Sequence, residues 1–163
     1  GANRLGGNSL SDLLVFGART GGAAAAHATG ATSKPYLDPV AVQTAVAELA
    51  APLERHDGED AYAIQRDLQD TMQRLVGIFR IEADLDEAIM RLAELRRRWT
   101  TVRATGGRAY NPGWNLVFEL DHLLTISEAI ARSARQRTES RGAHSRLDHP
   151  ATDETRWNGV SPA

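Results

Sequence analysis

Two stretches of apolar residues at helical spacing constrain this fold more than anything else in the chain. Ile64, Leu68, Met72, Leu75, Val76 and Phe79 recur three or four residues apart, and Leu85, Ile89, Leu92, Leu95 and Trp99 do the same. The spacing predicts helices over 60–80 and 84–104, joined as an antiparallel pair by a short turn around Glu82, Ala83 and Asp84. Each stripe is wide enough to require an apolar partner, and its Met and aromatic positions read as core. A third stripe, Leu116, Leu120, Leu123, Leu124, Ile126 and Ile130, begins at Trp114 behind a glycine-rich loop at 106–113 and ends near Thr138. Three helices of this length make a small bundle.

Upstream the pattern changes. Asp38 caps a helix with Pro39 at its first position, running through Val42, Val46 and Leu49 to stop near Pro52, before a charged break at 56–60. The run TGATSKPYLDP at 29–39 is a linker in composition. Residues 9 to about 28 read as a first helix whose glycines and alanines form a small-residue face that needs a neighbour. Glycine costs about 1 kcal/mol in a helix interior, so this helix is expected to fray in isolation. His27 complements the helix dipole there and receives no other role.

The chemistry concentrates at two places. In GANRLGGNSLSDLLVF, at 1–16, a lone cation, Arg4, precedes a Gly6-Gly7 turn, and Asn8 and Ser9 supply capping side chains for the helix that follows. With Ser9 as the cap, Asp12 falls three residues later as a capping-box variant. A guanidinium and a helix N-terminus facing one space suit an anion. The competing structural reading is an ordinary turn whose arginine pairs with a surface carboxylate. A P-loop is excluded, because Gly7-Asn8 stands where Lys-Ser/Thr is required.

The second place is 137–149, with Arg137, Glu139, Arg141, His144, Arg146, Asp148 and His149. His144, Asp148 and His149 could be imagined as metal ligands, but their spacing matches no zinc signature, so no metal is expected and a structural role is preferred. Glu119, Asp121 and His122 are consecutive enough on a helix to point different ways, which disfavours an acid–base set. The Arg96-Arg97-Arg98 cluster sits among carboxylates and reads as a solvated face or subunit contact. A net charge of -2 offers no general attraction for nucleic acid. With no cysteine, the chain supplies neither disulfides nor iron–sulfur ligands, and its longest apolar runs fall short of a bilayer span. It is expected to be soluble.

GANRLGGNSL followed by an apolar helix resembles the end of the flavin domain in the flavoprotein subunits of succinate dehydrogenase and fumarate reductase, with L-aspartate oxidase as a sibling family. YNPGW at 110–114, a helix, then RTESRGAHSRLDHP at 137–150 resemble the helical C-terminal domain of the same family, in the same order. The resemblance implies a mainly α chain: the end of an FAD-binding α/β domain at 1–30, a linker with a short helix at 31–59, a three-helix domain at 60–150 and an irregular tail at 151–163.

The resemblance also implies roles. Arg4 matches the arginine that grips a carboxylate of the dicarboxylate substrate, and Ser9 and Leu10 match the pair that contacts FAD. Asn8, Arg141 and His144 would support the site from behind, with His144 near the flavin. Since this segment returns toward the flavin domain in the family, Glu139 and Arg141 are expected in buried or interfacial ion pairs, and Gly142 is expected to allow close backbone approach. The family's partners are an iron–sulfur subunit and a membrane anchor, which place it on the inner, cytoplasmic face of the cell membrane. The dinucleotide fingerprint GxGxxG and the family's catalytic groups are absent from this sequence, so it reads as a C-terminal piece not expected to turn over alone. The alternatives are L-aspartate oxidase and a non-catalytic helical assembly module.

Overall fold

The computed structural model describes residues 7–31 and 36–157, with Asn8 described by its backbone alone. It is mainly helical. The elements run α1 (Asn8–Gly30), α2 (Pro39–Glu54), α3 (Ala61–Leu75), β1 (Phe79–Arg80), α4 (Glu82–Trp99), α5 (Pro112–Gln136) and β2 (Ser145–Arg146). The chain divides into two compact units, Gly1–Thr44 and Ala45–Ala163.

In the second unit α3, α4 and α5 pack on one another as a three-helix bundle. Ile64, Leu68 and Leu75 of α3, Leu85, Leu92 and Leu95 of α4, and Leu116, Leu120 and Leu124 of α5 are buried together, with Val102 from the α4–α5 connection. Each helix starts on a side chain or an extended residue suited to the task. Asp60 accepts the Tyr62 N–H at 3.2 Å to cap α3. Asn111 accepts the Trp114 N–H at 2.9 Å to cap α5, with Pro112 following it at the position where a missing N–H costs nothing.

Several expectations are corrected. Glu82 and Asp84 are not a turn but the acidic first turn of α4, where they complement the helix dipole as Arg96, Arg97 and Arg98 do at its other end. The reversal lies earlier and contains β1, which pairs in parallel with β2, Phe79 opposite Ser145 and Arg80 opposite Arg146. Phe79 therefore leaves the α3 stripe and is 66% exposed. On α5 the bundle buries Leu116, Leu120 and Leu124 but leaves Leu123, Ile126 and Ile130 exposed.

α2 begins as expected, the Asp38 carboxylate accepting the Val40 N–H at 3.0 Å. It ends at Glu54, two residues past Pro52, which is buried inside the helix and whose carbonyl accepts the Ala104 N–H at 2.8 Å. That bond and the Trp114 indole N–H donated to the Leu49 carbonyl at 2.8 Å tie the end of α2 to the bundle.

The three consecutive arginines go to separate sets of partners. Arg96 pairs with Asp121 of α5 and donates to Thr125 Oγ1 at 2.6 Å, Arg97 pairs with Glu94 on its own helix, and Arg98 joins Glu59 and Asp67. The Arg98 guanidinium holds the Glu59 carboxyl below its ordinary range. Past 150 the chain still contributes packing. Trp157 is buried with the guanidinium groups of Arg156 and Arg137 at 5.1 and 5.5 Å from its ring centre.

Candidate functional site

In the first unit the turn before α1 is built on Gly7, which adopts φ +81° as the N-cap. Its carbonyl accepts the N–H groups of Leu10 at 2.9 Å and Ser11 at 3.2 Å, and no side chain caps the helix. Ser9 is thus not the cap that the sequence pattern suggested. It lies inside the helix, which starts at Asn8 because only a glycine takes the left-handed turn at position 7 without strain. Asp12 consequently falls beyond the first turn, and the capping box does not form.

The amides of Asn8 and Ser9 precede the first intrahelical bonds and have no acceptor within the helix. Ser9 is half-buried and Leu10 is 68% exposed. A Cβ built on Gly7 would meet nothing within 4 Å among the described residues. Arg4 lies outside the described residues. Downstream, Leu13, Leu14 and Phe16 are exposed along α1, as are its glycines.

In the second unit the dense segment after α5 folds into a tight knot. Glu139 is fully buried, and its carboxylate accepts from Arg137 at 2.6 Å, from Arg141 at 3.0 Å and from the Asp153 N–H at 2.8 Å. Arg141, then the Asp153 amide and Arg137, hold the Glu139 pKa down to about 2 against the opposing effect of burial. The expected ion pair is therefore present. Gly142 plays a different part from the close approach expected of it. A Cβ there would meet nothing within 4 Å, but its φ of +60° turns the chain between Arg141 and His144, whose backbones exchange hydrogen bonds of 2.9 and 3.0 Å.

That turn delivers His144 to Arg80 of β1. The Arg80 guanidinium donates to His144 Nδ1 at 2.8 Å, so Nδ1 is the acceptor and Nε2 carries the proton, donated to the Arg137 carbonyl at 3.1 Å. Burial, and after it the charges of Arg80, Arg146 and Arg137, lower the His144 pKa from its ordinary value. His144 is a neutral strut between two strands and a helix end.

Arg146, one residue past the β-pairing partner of Phe79, is the largest fully buried side chain, a role the sequence did not single out for it. It donates to both oxygens of Asp148 at 2.7 and 2.8 Å and to the carbonyls of Ala134, Arg135 and Arg137 at 3.1 to 3.3 Å. The only sequence signal was the alternation Arg-Leu-Asp, which puts both charges on one side of an extended segment. Asp148 also accepts the Glu82 N–H at 2.7 Å, and Arg146 followed by this amide pushes its carboxyl far below the ordinary range. Oxygens of Glu82 and Asp148 and a ring nitrogen of His149 lie within 4.8 Å of one another. Both carboxylates in that group are already engaged by guanidinium groups, Glu82 by Arg135 at 2.7 Å. His144 points elsewhere, so the set imagined from the sequence is not assembled.

Comparison with known proteins gives a consistent result. The family model described as fumarate reductase flavoprotein C-term matches residues 65–163. The fumarate reductase flavoprotein subunit of Haemophilus influenzae is 35% identical over 162 residues, 96% of this chain and 26% of that protein. The succinate dehydrogenase flavoprotein subunit of Coxiella burnetii is 35% identical over 162 residues, 96% of this chain and 27% of that protein. Among solved structures, the Mycobacterium smegmatis Sdh1 complex in the apo form aligns with a TM-score of 0.85 at 47% identity, covering 92% of this chain and 25% of that one. The chain spans about a quarter of the length of the curated relatives it matches.

Proposed function

The chain belongs to the fumarate reductase and succinate dehydrogenase flavoprotein family, and from that premise we propose that it forms the C-terminal part of a subunit interconverting succinate and fumarate with FAD. The observation that supports a flavin contact in this chain is the mouth of α1. Gly7 caps it without a side chain, and the amides of Asn8 and Ser9 lack helix acceptors. These features fit the electron-rich edge of a reduced flavin, because unpaired N–H groups and the positive end of a helix stabilise negative charge without moving.

When bound, FAD would supply the two-electron chemistry: a hydride exchanged with one carbon of the substrate while a proton leaves or joins the neighbouring carbon, interconverting succinate and fumarate. Ser9 and Leu10 contact the cofactor in this reading, and Arg4 holds one substrate carboxylate through paired hydrogen bonds that orient the reacting carbon. Asn8, Arg141 and His144 take supporting roles in this reading. Electrons leave through an iron–sulfur subunit, and a membrane anchor sets the assembly on the inner face of the cell membrane. No helix among the described residues is long and apolar enough to cross a membrane itself. The 163-residue chain is inactive alone, since the residues that bind most of the flavin are supplied by the rest of the subunit.

The test is reconstitution with the N-terminal portion of the subunit. Arg4→Ala and Arg4→Lys should retain bound flavin by absorbance yet lose succinate–fumarate turnover, Lys failing because it cannot present two parallel donors. Near-normal turnover in both variants would remove Arg4 as the substrate anchor.

A further inference from the structure

We draw no further inference here: the strongest candidate, the apolar groove where the end of α2 meets α4 and α5, lined by Leu49, Pro52, Trp99, Val117 and Phe118, carries nothing, since the chain spans about a quarter of the length of its curated relatives and nothing in the structure shows what covers it.

Discussion

Arg146 and Asp148, two residues apart, join the C-terminal end of α5 to the N-terminal end of α4. Arg146 supplies donors to three carbonyls left over at the end of α5, while Asp148 supplies an acceptor to the first amide of α4, and two parallel hydrogen bonds lock the pair. Both helix dipoles are opposed by charge of the favourable sign, and neither charge is left without a counterpart. Two helix ends are thereby fixed by one short segment.

Removing Arg146 should therefore be among the most damaging single changes in the bundle. Arg146→Met keeps much of the volume but strands the Ala134 and Arg135 carbonyls, takes one of two donors from the Arg137 carbonyl and leaves the Asp148 carboxylate without its guanidinium, and it should cost about 3 to 5 kcal/mol, the range for breaking a buried pair on one side. Asp148→Asn retains an oxygen for the Glu82 N–H and should cost clearly less. Urea unfolding of both variants and the double variant checks this through the coupling energy, which should be large and of the sign expected for partners.

Glu139 governs the acid limb. Its pKa is about 2 in the fold against an ordinary value of 4.5, so the unfolded chain binds the proton first as pH falls. The stabilisation it provides is complete above about 4.5 and is lost progressively as pH drops toward 2. Thermal melts between pH 6 and pH 2 should show Glu139→Gln less stable than the native chain at pH 6, with the gap narrowing across that window. A gap of constant size would remove the carboxylate as the titrating group.

His144 acts in a higher window. Its pKa is lowered, chiefly by burial and then by Arg80, Arg146 and Arg137, so the neutral ring is the one the fold selects. Its contribution is complete above the ordinary value of 6.5 and falls as pH descends through the lowered value, because protonation destroys the acceptor that Arg80 uses. Nitrogen-detected NMR should find the proton on Nε2 at neutral pH. Melts from pH 7.5 to 5 should lose an inflection in His144→Gln that persists in Glu139→Gln.

Much of this architecture could be read from the chain because α3, α4 and α5 each bury a stripe that repeats at helical period. Periodicity does not say which side of a doubly striped helix finds a partner, which is why Leu123, Ile126 and Ile130 look identical in sequence to Leu116, Leu120 and Leu124. Nor does it reach β1 and β2, whose two-residue strands have no period and are set by a bond network between Arg80 and His144, 64 positions apart. At the N-terminus the pattern Asn-Ser before an apolar run suggested a side-chain cap, whereas the backbone freedom of Gly7 moved the helix start upstream of Ser9. The ion pair at Glu139 was legible from its neighbours in sequence. The burial of Arg146 was not, because it depends on carbonyls that only the folded end of α5 presents.

Asn111 offers a case in which one side chain does two separable things. Its oxygen caps α5 through the Trp114 N–H, while its Nδ2 donates to the carbonyls of Thr105 and Gly107, each at 2.8 Å, closing the loop before the helix. Asn111→Asp keeps the cap and adds negative charge at a helix N-terminus, yet turns both loop donors into an acceptor facing carbonyls. Asn111→Ala loses everything and should cost about 1 to 2 kcal/mol. If the cap dominates, Asn111→Asp should be nearly as stable as the native chain. If the loop dominates, it should fall to the level of alanine, with faster amide exchange across 105–110. The left-handed φ of 53° at the fully exposed Tyr110 favours the second outcome, since an L residue holds that conformation only where its surroundings fix the chain.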